Sequence, residues 1–97
     1  MQTNLTKLKT TKSCLGCDLT GIELVGFDLK NADLSGANLT GANLKRSDLT
    51  GANLTDTNLT DAYLLGINLT GARLINTNLT GVKLSYANLS GVDISDS

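Results

Sequence analysis

From Leu19 to Leu89 a leucine occupies every fifth position without a slip, and Ile94 takes the sixteenth place. Two residues before each stands a mostly small side chain, among them Ala32, Ala37, Ala42, Ala52, Ala62, Ala72 and Ala87. Two residues after each comes a turn former, Gly in nine of sixteen cases and Asn or Asp in five more. A helix would set residues five apart about 140° around its axis and smear the leucines over every side. A strand alternates with period two, so an odd spacing would place successive leucines on opposite faces. Five becomes consistent when the chain turns a corner once per repeat. Three residues then form a short extended side, with the leucine and the small residue two before it pointing inward and the other three positions pointing out. Glycine supplies the positive φ of such a corner, and Asn or Asp tolerates it. Arg46 and Tyr86 stand where a turn former belongs, so a different local geometry is expected there.

A few such sides close a cross-section, and stacked circuits pair backbone to backbone at about 4.8 Å. The leucines become an internal ladder, each burial contributing roughly 1.5–3 kcal/mol before entropy is subtracted. All sixteen are expected to hide on the axis. Ninety-seven residues suit one domain rather than two independent cores.

Composition restricts function more than it names one. A net charge of −1 gives no electrostatic footprint for nucleic acid or an anionic membrane surface. No apolar run approaches the roughly 20 residues needed to span a bilayer. Without histidine the usual general base and the commonest metal ligand are missing. Aromatic residues at 3% provide few stacking platforms. No enzymatic activity, catalytic residue, cofactor or metal is expected.

Residues 1–16 lead into the repeat, and residues 17–96 form it. Leu5 and Leu8 lie three apart behind Asn4, a plausible helix cap, which predicts one or two helical turns whose leucines cover the first circuit. Thr10 and Thr11 argue against a longer helix. The leader MQTNLTKLKTTKS has no continuous apolar region, so it does not read as a secretory signal. Cys14 and Cys17 both fall on inward positions of the five-residue frame. Two buried thiols and a local disulfide both fit. A zinc site does not, because two cysteines without histidine fall short of four ligands.

The run D-L-S-G-A-N-L-T-G-A-N-L at residues 33–44 resembles the pentapeptide-repeat proteins, whose motif is A-(D/N)-L-x-x. The resemblance extends over residues 17–96. It implies an all-β fold, a right-handed quadrilateral β-helix (a solenoid) with four repeats per coil, hence about four coils behind a short N-terminal capping segment. The opening CLGCDLTG is similar to that of many cyanobacterial members, some exported to the periplasm or thylakoid lumen. That likeness leans the location toward those compartments for a mature form, and toward the cytoplasm otherwise.

Four repeats per coil would stack residues twenty apart. Phe27 then lies below Ser47, Ile67 and Ala87 and reads as core that fills the N-terminal end. One face stacks Asp18, Asn38, Asn58 and Asn78 beside Thr20, Thr40, Thr60 and Thr80. These read as ladders whose stacked amides and hydroxyls bond to one another, or as an ordered surface for a periodic ligand such as ice. The next face is irregular. Val25, Lys45, Arg46, Tyr63, Leu65, Lys83 and Tyr86 gather there as a candidate partner patch, mixing apolar and aromatic groups with cations. Only three residues follow Ile94, too few to cover the last coil. That end is therefore expected to pack on another copy as a homodimer, or to continue in a longer chain. The leading function is a non-catalytic structural or protein-interaction module. The family resemblance also implies DNA mimicry toward a DNA-processing enzyme such as gyrase, although Lys45, Arg46, Arg73 and Lys83 interrupt any negative stripe.

Overall fold

The computed structural model describes residues 2–95. Single parallel bridges join Asp18 to Asn38, Asn38 to Asn58 and Asn58 to Asn78, and bridges on the other sides likewise link residues twenty apart. One circuit therefore takes four pentapeptides. The chain is a parallel β-helix with extents of 31 × 23 × 23 Å, and its first rung joins Ser13 to Asp33.

Four backbone hydrogen bonds per repeat explain the period, one of them from the corner amide to the following coil (Gly21 N to Thr40 O, 2.8 Å). The amide of the inward leucine donates to the following coil (Leu19 N to Asn38 O, 2.8 Å). The amide of the residue before it donates to the preceding coil (Asn38 N to Cys17 O, 2.9 Å). The amide three beyond it closes the corner (Ile22 N to Leu19 O, 3.1 Å). Between them these bonds satisfy the backbone without any strand of length, because each straight side lasts only three residues.

Arg46 and Tyr86 do not alter the corner. Their φ angles of 58° and 62° match those of Gly26 and Gly66 in the same column, 70° and 68°. The ladder dictates the turn: Arg46 N donates to Leu65 O at 2.9 Å, and Ser47 N to Leu44 O at 3.1 Å. Holding a bulky L-residue in this left-handed region costs about 1–2 kcal/mol, which the neighbouring coils offset. Asp96, the sixteenth corner, lies outside the described residues.

Every inward leucine from Leu19 to Leu74 is buried, with the alanines of the small-residue column beside it. Polar residues enter this core only with a partner. Ser47 Oγ donates to Leu44 O at 2.7 Å. Thr57 Oγ1 reaches Leu34 O at 2.8 Å, and Thr77 Oγ1 reaches Leu54 O at 2.7 Å. The expectation that all sixteen would be hidden fails in the last coil. Leu79 and Leu84 are half-buried, Leu89 is 45% exposed and Ile94 58%. Nothing described lies over them.

The N-terminal end is closed by one helix, α1 (Gln2–Thr11). It is longer than the threonines suggested. Thr11 Oγ1 donates back to Lys7 O at 2.7 Å, and Lys12 N donates to Leu8 O at 2.9 Å, so the last turn is satisfied locally. Asn4 sits within α1 rather than capping it. Its Nδ2 donates to Asp18 O at 3.1 Å, a carbonyl that a preceding coil would otherwise engage. Leu8 is fully buried, and Leu5 and Phe27 pack against the same cluster. Lys9 Nζ stands 5.6 Å from the centroid of the Phe27 ring. Cys14 and Cys17 are joined by a disulfide across the corner, and both belong to the core.

Candidate functional site

The irregular face is organised by one column in which Glu23 bridges Asn43, Asn43 bridges Tyr63 and Tyr63 bridges Lys83. Asn43 Nδ2 donates to Glu23 Oε1 at 3.3 Å. Tyr63, 40% exposed, receives a lysine from the coil on each side. Lys45 Nζ lies 5.5 Å and Lys83 Nζ 5.0 Å from the ring centroid. Each such contact on a solvated surface is worth about 0.5–1 kcal/mol. Of the seven patch residues read from the sequence, Lys45, Tyr63 and Lys83 are thus brought into contact. Val25 is exposed one rung below Lys45, and Leu65 is half-buried one rung above it. Arg46 and Tyr86 occupy the adjoining corner, Tyr86 with 92% of its surface exposed.

Carboxylates mark the other faces. Asp18 Oδ1 accepts from the side chain and the amide of Thr20, at 2.7 and 3.1 Å. These bonds hold its pKa below the ordinary 3.8, the side-chain bond contributing most. Thr50 does the same for Asp48 and Ser95 for Asp93, each lowered chiefly by the hydroxyl and then by the amide. Among the described residues the one ion pair is Lys30 Nζ to Asp48 Oδ2, at 3.7 Å.

This pattern also corrects the expected Asn/Thr ladders. Thr40 Oγ1 donates to Asn38 Oδ1 and Thr60 Oγ1 to Asn58 Oδ1, both at 2.6 Å, within their own repeats. The bonds run along each rung, not up the column. An Asx-type turn two residues long is satisfied locally, before a neighbouring coil can compete.

The C-terminal end is the second unusual surface. An apolar hollow of about 250 Å³ opens between Leu64, Leu69 and Leu74 of the coil beneath and Leu79, Leu84, Leu89 and Ile94 of the last coil. Among the described residues no hydrogen bond uses the backbone amides of Leu79, Gly81, Leu84, Tyr86, Leu89 or Gly91. These are the groups that a further coil would engage. The sequence pointed to an uncovered end but gave no sign of the hollow, which depends on how far the terminal leucines stand apart.

The family model for pentapeptide repeats matches residues 13–51 and 62–97 in eight copies. The chain belongs to the pentapeptide repeat family. Its fold is accordingly a right-handed β-helix. A solved pentapeptide repeat protein from the thylakoid lumen of Arabidopsis thaliana is 39% identical, with a TM-score of 0.78 over 79% of this chain and 53% of that one. The chain thus spans about half the length of that structure. Rfr23, a pentapeptide repeat protein of the cyanobacterium Cyanothece 51142, is 30% identical over 96% of this chain and 94% of its own, with a TM-score of 0.46. A pentapeptide repeat protein of Nostoc PCC 7120 is 34% identical over 93% of this chain and 72% of its own, with a TM-score of 0.40. No curated protein matches the sequence.

Pentapeptide repeat proteins are generally structural or interaction modules. In this member no group of three or more His, Cys, Asp or Glu side chains converges among the described residues. No described helix is long and apolar enough to cross a membrane.

Proposed function

We propose that this pentapeptide repeat protein is a non-catalytic rigid rod that docks another protein through its open C-terminal coil. Residues 17–96 supply about four coils, and residues 1–16 act as lead-in and cap. The observation that carries the reading is the last coil, where exposed aliphatic side chains and unpaired amides occupy one surface. Unpaired edges of this kind template further pairing, and exposed apolar ends of repeat arrays need a cover. The simplest cover is a second copy, forming a homodimer through the C-terminal coil. A section of 23 × 23 Å offers no more than about 500 Å² per partner, so such a dimer would fall in the small, reversible class of interface. A compartment that favours disulfides, such as the periplasm or the thylakoid lumen, suits the Cys14–Cys17 bond.

Two alternatives receive less support. A gyrase-binding DNA mimic requires a negative rod, whereas Lys45, Arg46 and Lys83 make one side cationic; unchanged supercoiling by gyrase in the presence of the protein is the expected result. An ice-type surface requires free hydroxyls in register, whereas those of Thr20, Thr40 and Thr60 are committed within their own repeats. Thermal hysteresis is therefore expected to be absent.

Molar mass from light scattering over rising concentration tests the docking surface. The wild type should move toward a dimer, and Ile94→Asp with Leu89→Asp should remain monomeric with little change in melting temperature. A wild type that stays monomeric at millimolar concentration would remove the second copy as occupant.

A further inference from the structure

We infer that the face centred on Tyr63 is a docking stripe for an acidic polypeptide segment with interspersed apolar side chains. This goes beyond the docking of the C-terminal end and rests on different residues. Lys45 and Lys83 approach the Tyr63 ring at 5.5 and 5.0 Å from coils on either side of it. The ring holds both ammonium groups in place before any partner arrives. Neither lysine, nor Arg46 at the adjoining corner, has an ion pair among the described residues. Cations held near a ring and without a counter-ion are a surface suited to carboxylates, because part of the entropy of fixing them is already met.

The corner supplies the second, independent observation. Among the described repeat positions from 17 onward, all the left-handed residues are Gly, Asn or Asp except Arg46 and Tyr86. Both lie in one column, the corner bordering this face, where Gly26 and Gly66 alternate with them. Strained backbone is retained where the side chain it presents has a use, so two such residues on one edge point to recognition rather than folding. Gly66 leaves the necessary room: a Cβ there would stand 3.4 Å from Arg46 Cγ, so the arginine stem lies against the corner of the next coil. Tyr86 is almost wholly exposed at the upper end of the stripe, Tyr63 is exposed one rung lower, and Val25 is exposed at the lower end. These are the aromatic, aliphatic and arginine contacts in which interface hot spots are enriched.

The acids that face the stripe are few. Glu23 lies at its lower end, bonded to Asn43 Nδ2 at 3.3 Å, and Asp61 holds the opposite corner. An extended polyanion such as nucleic acid would reach past three cations to the aspartates of the other faces, and the net charge of −1 gives it no wider field. A short acidic segment fits the stripe within its own width. Glutamates would meet Lys45, Arg46 and Lys83, and apolar residues would cover Val25 and Tyr86.

The test uses the full-length, ¹⁵N-labelled protein titrated with an eight-residue peptide of alternating Glu and Leu. Amide shifts are expected at residues 25, 45, 46, 63, 65, 83 and 86, and not for a peptide of alternating Lys and Leu. Lys45→Gln with Lys83→Gln should weaken binding about tenfold or more, with the fold retained and stability lowered by no more than the two lost ring contacts are worth. R46G removes a cation while giving the corner the residue its φ favours, so it should bind less tightly without any loss of stability. Shifts that are absent, that survive both variants, or that centre on Lys7, Lys9 and Lys12 would overturn the proposal. Equal shifts from a single-stranded DNA oligonucleotide would also overturn it, by assigning the stripe to phosphate.

Discussion

The two ends of the solenoid are built from the same repeat and meet opposite fates. At the first coil Leu19, Leu24 and Leu29 are fully buried, because α1 lays Leu8 over them and Asn4 engages the carbonyl of Asp18. At the last coil the equivalent side chains, Leu79, Leu84, Leu89 and Ile94, line an open hollow. A repeat alone therefore does not determine burial. Each coil is completed by its neighbour, and the terminal ones depend on something outside the pattern. The covered end also carries the Cys14–Cys17 bond.

The largest expected effect tests this asymmetry directly. Leu8→Ala should destabilise by about 2–4 kcal/mol in urea unfolding, because it empties a buried site. Ile94→Ala, at an exposed site, should change stability by only about 0.5 kcal/mol. Equal effects would mean that the C-terminal end is covered in solution. Next comes reduction of the disulfide, whose cysteines are three residues apart. Chain-entropy reasoning for so short a loop gives a loss of about 2 kcal/mol. Hydrogen exchange should then quicken in the first coil and α1 while the last coil is unchanged; a uniform change would break the comparison.

Relieving strain at the open end is smaller and of opposite sign. Tyr86→Gly should raise stability by about 0.5–1 kcal/mol, because the left-handed penalty at φ 62° disappears. Acid should act on both ends alike. Asp18 in the first coil and Asp93 in the last are both held below 3.8 by hydroxyl and amide donors. Since the folded values are depressed, their stabilisation is complete above the ordinary value and is lost as pH falls through the lower folded values. A melting temperature that is level from neutral pH down to about pH 5 and then declines in acid is the expected profile. Retention of the full neutral-pH melting temperature at pH 2 would contradict it.

The axis of the molecule was readable from residues 19–94 because only a corner per repeat reconciles a five-residue period with a single apolar side. The corners were less so. Arg46 and Tyr86 looked like exceptions, yet hydrogen bonds from the adjacent coils impose the same turn whatever the side chain. The direction of the Asn–Thr bonds was also hidden, since spacing cannot rank a contact two residues away against one twenty away. Helix α1 outran its expected length because tertiary cover for Leu5 and Leu8 outweighs the poor propensity of Thr10 and Thr11. The contact of Lys45 and Lys83 with Tyr63 became visible only once the twenty-residue register was known, as the three residues lie 38 positions apart from first to last.

That register also governs how such a molecule changes length. Duplicating twenty residues adds one storey and leaves every side with its own tenants. Inserting or losing five turns everything beyond the break by a quarter, so Lys83 would face a different direction from Tyr63 while the interior remained filled. Lineages of this architecture should therefore grow in whole storeys wherever a side wall does work, and drift by single pentapeptides only where none does.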